Sequence, residues 1–389
     1  MRIFISTGEV SGDLQGALLV EALKRQGELL GVELEIAGTG GKRMAEAGCN
    51  LIGDTTQISS LGILEGIPFV LATWRMQDLV KKYVQHNPPD LLILIDYLDP
   101  NLSIGSYIRR HWPQVPIIYY IAPQMWVWSP LTRQNSKILE ITDRLLAIFP
   151  GEATYFAKQG LSVGWVGHPL LDRMAKAPNR ENARRLLGID PQKTIITLLP
   201  ASRKQELTYL LPAIFAAAQQ LQEKLTEVEF LIPLSVESFA EPIAKAITTY
   251  NLAATIVENK TLEALAAADL AITKSGTVNL ELALLNVPQV VVYKLNPLTM
   301  WIARKVFKFD VPFVSPANLV SMQSVVPELF QEEANPQRIV QEAMDLLFNP
   351  KRREKTIADY QQLHQDLGEA GVCDRAAKEI LEFDKKKVK

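Results

Sequence analysis

The sequence predicts two doubly wound α/β domains of Rossmann-like type, and three observations carry that expectation. In the first half, short apolar runs (RIFIS, ELEIAG, LLILID, VPIIYYIA, RLLAIF, VGWVG) alternate with helix-length stretches. Parallel strands joined by crossover helices require that rhythm. The rhythm lapses between residues 167 and 193, where Pro169, Pro178 and Pro191 interrupt the chain, and then restarts with TIITLLP, EVEFLIPL, AATIVE, LAITKSG, QVVVYKL and VPFVSPANLV. The third observation is size: 389 residues, 48% apolar and 22% charged, suffice for two domains with their own cores.

The expected division is residues 1–169, residues 170–345, and a last stretch, 346–389, that is helical throughout and adds no strand to the second sheet. With 41 basic against 43 acidic side chains the net charge is -2. That balance gives no global field for nucleic acid, so none is expected as a partner. Cys49 and Cys373, the only cysteines, suit a reducing compartment and read as packing residues. MRIFISTGE turns polar too early for a signal peptide, so a cytoplasmic protein is expected. No run reaches the 18 to 20 apolar residues a bilayer span needs. LGILEGIPFVLATW, residues 61 to 74, is nevertheless almost wholly apolar and precedes Arg75, Lys81 and Lys82. It reads as a buried helix between layers or as a surface helix dipping into a membrane interface.

Doubly wound sheets bind ligands beyond the carboxyl ends of their strands, and two such domains facing each other form a cleft. The loops entering helices are therefore where chemistry is sought. In AITKSGTVNLELAL a strand ends at Ser275, Gly276 and Thr277 and a helix follows at once. Its first amides favour an anion, the hydroxyls add donors, and Glu281 one turn on could take ribose hydroxyls. An ordinary helix cap by Ser275 is the alternative. Ser202, Arg203 and Lys204 follow the first strand of the same half, and Arg203 can bridge a diphosphate with two bonds. Asn318, in FVSPANLV, could reach a base or a sugar. The second half thus reads as a nucleoside diphosphate site.

The first half offers carboxylates instead. LLILIDYLDPNL brings Asp96 and Asp99 to a strand end, where Asp99 before Pro100 is either a helix cap or an acid/base group. IAPQMWVWSP brings Gln124 and Trp126 to the next strand end, and VGWVGHP brings His168, read as a structural histidine or a site residue. The loop STGEVSGDLQGA has the glycines of a phosphate cradle, yet Glu9 and Asp13 would repel a diphosphate. No histidine or cysteine spacing suits a metal, no metal or cofactor is expected, and neither GxxxxGK[ST] nor GxGxxG occurs. A carboxylate-rich domain facing a phosphate-binding one suits transfer of an activated sugar.

In order along the chain, GEVSGD, GTGGKRM, LGILEG, IDYLDPNL, APQMWVW, VGHPL, LLPASRKQEL, SGTVNLELAL with VVVYK, and PELFQ resemble the motifs of the lipid-A-disaccharide synthases. That family comprises membrane-associated glycosyltransferases of the GT-B fold. The resemblance implies transfer of 2,3-diacylglucosamine from UDP to the 6-hydroxyl of 2,3-diacylglucosamine 1-phosphate, inverting to a β-1,6 linkage. It makes Asp99 the expected base, with Asp13 as the other carboxylate to consider. Ser11, Gly12 and Asp13 become the acceptor-side loop. Arg203, Ser275, Gly276, Thr277, Glu281, Asn318 and Gln331 become the UDP side, with Ser202 beside them. Glu9 and Asp13 then read as orienting an acceptor, with Asp13 alternatively capping the first helix.

The resemblance further implies that the last helices return to the first domain. It favours a membrane surface for residues 61–82, hence peripheral attachment to the cytoplasmic face of the inner membrane, and a homodimer could form. Ala201, Lys274 and Val10 depart from the family's usual residues, which bears on donor and acceptor preference. Two other readings compete: a GT-B enzyme with a soluble acceptor or an epimerase of UDP-sugars, and a UDP-binding homologue without catalysis.

Overall fold

Leu91–Ile95 reads LLILI, five apolar residues without alternation, and all five are buried. A strand apolar on both faces belongs inside a parallel sheet covered by helices on each side, and that is its place in the computed structural model, which describes residues 1–56, 58, 69–123, 132–234, 236–305 and 311–383. Two units are present: Met1–Asp172 together with the chain from Leu367 on, and Arg173–Val306 together with Val311–Asp366.

The first unit holds a parallel sheet of β1 (Arg2–Ser6), β2 (Glu35–Gly40), β3 (Asn50–Asp54), β4 (Leu91–Ile95), β5 (Ile117–Tyr120), β6 (Arg144–Ala147) and β7 (Val163–Trp165), in the order β3-β2-β1-β4-β5-β6-β7. The second holds β8 (Thr194–Leu199), β9 (Val228–Pro233), β10 (Ala254–Val257), β11 (Leu270–Lys274), β12 (Gln289–Tyr293) and β13 (Glu328–Phe330), in the order β10-β9-β8-β11-β12-β13. Each order reverses direction once, between β1 and β4 and between β8 and β11. At each such point the connections from the two adjoining strands leave to opposite faces of their sheet, so the loops there part and open a crevice. The register pairs Ser6 with Leu94 and Leu199 with Thr273. The loops after Ser6 and Ile95 are thereby neighbours, as are those after Leu199 and Lys274.

Apolar burial holds each sheet to its helices. Phe4, Leu92, Leu94, Ile117 and Tyr119 meet Ile104, Ile108 and Ile138 in the first unit, and Ile196, Phe230 and Ile272 meet Ile214, Phe215 and Ile339 in the second. Each such side chain contributes about 1.5 to 3 kcal/mol. The first unit is closed by the helix Val372–Leu381, which packs on the helix Glu9–Leu30. Asp172 caps it, accepting from the amides of Gly371, Val372 (3.1 Å) and Cys373 (2.7 Å), while Arg25 pairs with Asp374 at 2.9 Å and Arg144 with Glu379.

Two features differ from the sequence expectation. β3 was not among the expected strands: NLIGD has no apolar run, and it pairs at the sheet edge with a register shift at Gly38/Thr39. VPFVSPANLV is not a strand. Pro312 and Pro316 break it, Ser315 caps a helix at Pro316–Ser321 by accepting from the Asn318 amide, and the sheet's last strand is Glu328–Phe330. Cys49 and Cys373 are buried free thiols, and burial pushes the Cys49 thiol up to about 12.

Candidate functional site

In the first unit the chemistry gathers at the β1/β4 switch. After β1 the chain must turn sharply beneath Tyr97, and a Cβ on Gly8 would lie 2.4 Å from that ring. Glu9 then takes a left-handed φ of 63° to start the helix. Gly12 is needed for a similar reason, since its Cβ would lie 2.1 Å from Thr7 Oγ1. The glycines of STGEVSGDLQGA thus serve close packing, Gly8 under Tyr97, Gly12 on Thr7 and Gly16 against Met44. Ser11 and Glu9 are half-buried.

Asp13 is buried, and its carboxylate accepts from the amides of Gly41 (2.7 Å), Met44 (3.0 Å) and Arg43 (3.2 Å). It therefore caps the short helix Lys42–Glu46 rather than its own helix. Asp99 is different. It lies in the first turn of the helix Leu98–His111 and is exposed, while Tyr97, not Asp99, occupies the cap position. The turn before it is strained: Asp96 and Tyr97 have φ of 47° and 44°.

Asn101, which sequence reasoning missed, holds that turn. Its amide donates to the Ile95 and Asp96 carbonyls at 3.0 and 2.6 Å and accepts from Ser6 Oγ at 2.7 Å, so one buried side chain ties β1 to the end of β4. The Tyr119 hydroxyl donates to the Asp96 carbonyl at 2.8 Å. The signal available in the sequence was the asparagine two residues past Asp99, inside an otherwise apolar helix face.

Gln124 and Trp126 lie outside the described residues. The segment leading to them is held by Glu152, also missed, which sits in the first turn of the helix Pro150–Lys158. It accepts from Ala122 N at 2.8 Å, Ile148 N at 2.9 Å and Phe149 N at 3.3 Å. Complete burial pushes its carboxyl up to about 7, against the three amides that favour the charged form. His168 is buried beside Phe149 and accepts at Nδ1 from Leu170 N at 3.2 Å; burial pushes it down to about 3, so it is a neutral structural histidine.

In the second unit the β8/β11 switch brings together the residues expected on the phosphate side. Arg203 begins the helix Lys204–Tyr209. Glu206 holds the loop: it accepts from Ser202 N (2.6 Å), Arg203 N (3.0 Å) and Ser202 Oγ (3.2 Å), and Arg203 Nη1 lies 3.5 Å from it. The Arg203 charge also acts on Tyr293 at the end of β12, whose phenol burial pushes up to about 12. Tyr293 in turn stacks on Phe330 at 5.7 Å.

Ser275 Oγ donates to the Val314 carbonyl at 2.6 Å, which joins the β11 loop to the segment before Pro316. Gly276 N donates to Asn279 Oδ1 at 2.8 Å, and Thr277 starts the helix Val278–Leu284 without a side-chain cap bond of its own. Glu281 is buried and ion-paired with Arg173. Asn318 is buried with both sides of its amide engaged: it donates to Val326 O and Glu328, and accepts from the amides of Val325 and Val326. Glu328 also accepts from Val314 N and Ser315 N, each at 2.8 Å. Asn318 and Glu328 thus shape the loop.

Gln331 follows Phe330 with φ of 53°, is 5% exposed, and its Nε2 finds no hydrogen-bond partner among the described residues. A buried donor left open costs about 1 to 3 kcal/mol, which a ligand acceptor would recover. Among the described residues no group of three or more His, Cys, Asp and Glu could hold a metal ion, and no helix is long and apolar enough to cross a membrane. The segment 61–68 lies outside the described residues. The helix Val70–His86 that follows exposes Leu71 and Trp74 and buries only Val80 and Val84.

Comparison with known proteins extends these observations. Structurally, the chain is similar to the UDP co-structure of S. aureus MnaA (TM-score 0.66, 16% identity, 97% of this chain and 95% of that one). It is also similar to the UDP-GlcNAc 2-epimerase of Neisseria meningitidis bound to UDP-GlcNAc (TM-score 0.60, 12% identity, 98% and 99%). At such identities the likeness shows the fold alone, that of two parallel-sheet units of GT-B type. In sequence, a lipid-A-disaccharide synthase of Gloeothece citriformis (strain PCC 7424) is 63% identical over 383 residues, covering 98% of this chain and all (100%) of that one. The model of the lipid-A-disaccharide synthetase family matches residues 3–383, and with that span and that identity the chain belongs to the lipid-A-disaccharide synthetase family.

Proposed function

We propose that this protein is the inverting glycosyltransferase that moves 2,3-diacylglucosamine from UDP to the 6-hydroxyl of 2,3-diacylglucosamine 1-phosphate, giving the β-1,6 disaccharide 1-phosphate and UDP. The observation that carries the reading is identity of 63%, over 98% of the chain, to an enzyme named for that disaccharide. The side chains supply the chemistry. Asp99, exposed on the first helical turn after a strained strand end, accepts the proton of the attacking hydroxyl; Asp13, consumed by three backbone amides, holds the neighbouring loop instead. Arg203, with the amide and hydroxyl of Thr277, stabilises the charge that develops on the departing diphosphate, while Ser202, Ser275 and Gly276, engaged by Glu206, the Val314 carbonyl and Asn279, shape the loops around it. Glu281 takes ribose hydroxyls while Arg173 keeps it oriented, and Gln331 donates to the nucleotide from its unpartnered amide. Asn318 acts by holding the loop. Glu9, Ser11, Gly12, Gln124 and Trp126 belong to the acceptor side. The apolar stretch within residues 61–82 rests on the cytoplasmic face of the membrane, where both lipids reside.

The test is incubation of the purified chain with both diacylated substrates and analysis of the lipids by mass spectrometry. The expected result is disaccharide 1-phosphate together with stoichiometric UDP. Absence of the disaccharide with both natural and short-chain lipids overturns the proposal. UDP binding without product under any acceptor would point to a non-catalytic homologue, and interconversion of UDP-sugars to an epimerase.

A further inference from the structure

The helix Pro297–Lys305 in the second unit has no part in the reaction above, yet its outer face is unusual. Asn296 fixes its start, accepting from Leu298 N at 2.8 Å while donating to the Tyr209 hydroxyl at 2.9 Å. Thr299 and Met300 then turn inward and are buried. Leu298 and Trp301, three residues apart and so on one face, are 55% and 58% exposed, and Lys305 one turn further is exposed as well. From Lys294 to Lys305 the chain carries three basic residues, Lys294, Arg304 and Lys305, and no acidic one.

The first unit repeats the arrangement. On the helix Val70–His86, Leu71 and Trp74 are likewise three apart and exposed (68% and 71%), followed by exposed Arg75. A leucine, a tryptophan and a cation in succession on one helix face match the depth profile of a lipid interface: acyl region, headgroup boundary, anionic phosphates. A protein partner fits less well, because two apolar side chains cover a small part of the ~800 Å² per partner that a stable interface needs.

We propose that the face formed by Leu298, Trp301 and Lys305 is a second membrane contact, by which the nucleotide-side unit docks on an anionic bilayer surface independently of residues 61–82. The experiment is co-sedimentation of the full-length protein with vesicles of phosphatidylcholine alone or mixed with phosphatidylglycerol, without substrate. Leu298→Ser/Trp301→Ser should lower partitioning onto the mixed vesicles at least tenfold, Trp301→Phe should largely retain it, and Lys305→Glu should weaken binding to anionic vesicles only. Folding of each variant is checked by circular dichroism and UDP affinity, and turnover of short-chain, micelle-free substrates should be unchanged. Parental partitioning of the double variant overturns the proposal, as does loss of binding solely on Leu71→Ser/Trp74→Ser. A changed oligomeric state with unchanged vesicle binding would also overturn it, making the face an interface between copies of the chain.

Discussion

The two units use carboxylates in opposite ways at equivalent points of their sheets. Among the carboxylates at the β1/β4 switch, Asp13 disappears beneath three amides while Asp99 stands exposed on the first turn of its helix. At the β8/β11 switch both carboxylates are buried and engaged, Glu206 by the amides of Ser202 and Arg203, and Glu281 by Arg173. The groups gathered there are a guanidinium, hydroxyls and amides, and several are held by partners of their own: Ser202 and the Arg203 amide by Glu206, Ser275 Oγ by the Val314 carbonyl and Gly276 N by Asn279. The difference teaches that the same doubly wound scaffold offers a carboxylate at one switch point and not at the other according to which carboxylates it buries, Asp99 alone of these four being exposed.

Asp99→Asn gives the sharpest break between the units. It should lower turnover about 10²- to 10⁴-fold, the usual weight of a general base, with UDP affinity unchanged by calorimetry; near-parental rates would move the base elsewhere. Asp13→Ala should act on stability, because three buried amides lose their acceptor. The expected cost is about 4 kcal/mol at 1 to 3 kcal/mol per orphaned donor, allowing for partial hydration, read as a lower urea midpoint of the first unit's transition.

The third prediction concerns pH. Glu152, raised to about 7 from 4.5, binds its proton more tightly when folded, so its contribution is present at low pH and lost as pH rises between those values. His168, lowered to about 3 from 6.5, does the reverse: stability is lost as pH falls through that range. Between pH 4.5 and 6.5 the two slopes oppose, so the parent should be nearly flat. His168→Gln should unmask a decline of about 3 kcal/mol from pH 4.5 to 7, at 1.36 kcal/mol per unit; a variant as flat as the parent contradicts the assignment. The smallest effect is expected for Arg203→Met, roughly thirtyfold weaker UDP binding by loss of a charge-assisted contact, with no change in the first unit's melting.

Much of this was legible in advance, for physical reasons. Short unalternating runs such as LLILI, spaced by helix-length stretches, read as interior parallel strands, so the layering followed from pattern, while the strand order and hence the switch points came from the structure. Strand-end positions of Asp99, Arg203 and Ser275 followed in turn. The failures share a cause. NLIGD has too little apolar content to announce a strand, and its place is set by the pairing of its backbone with β2. VPFVSPANLV opens with strand composition, but Pro312 and Pro316 deny it ladder bonds. Asn101, Glu206 and Glu328 work through hydrogen bonds to backbone, and for Asn101 and Glu328 that backbone lies across the loops. Such bonds leave no periodicity behind, and Asp13's capping of a helix 28 residues away is of the same kind.

The helix Val372–Leu381 carries a consequence for biosynthesis. The first unit's opening helix is covered by a segment made some 340 residues later, so its apolar face meets water throughout translation of everything between. At roughly 5 to 20 residues per second that interval lasts about 20 to 70 s. The intervening unit, Arg173–Val306 with Val311–Asp366, is finished before the one that starts the chain. Nascent molecules therefore pass through a half-assembled species with an open flank, the state in which a trigger-type chaperone or a nearby bilayer would find them.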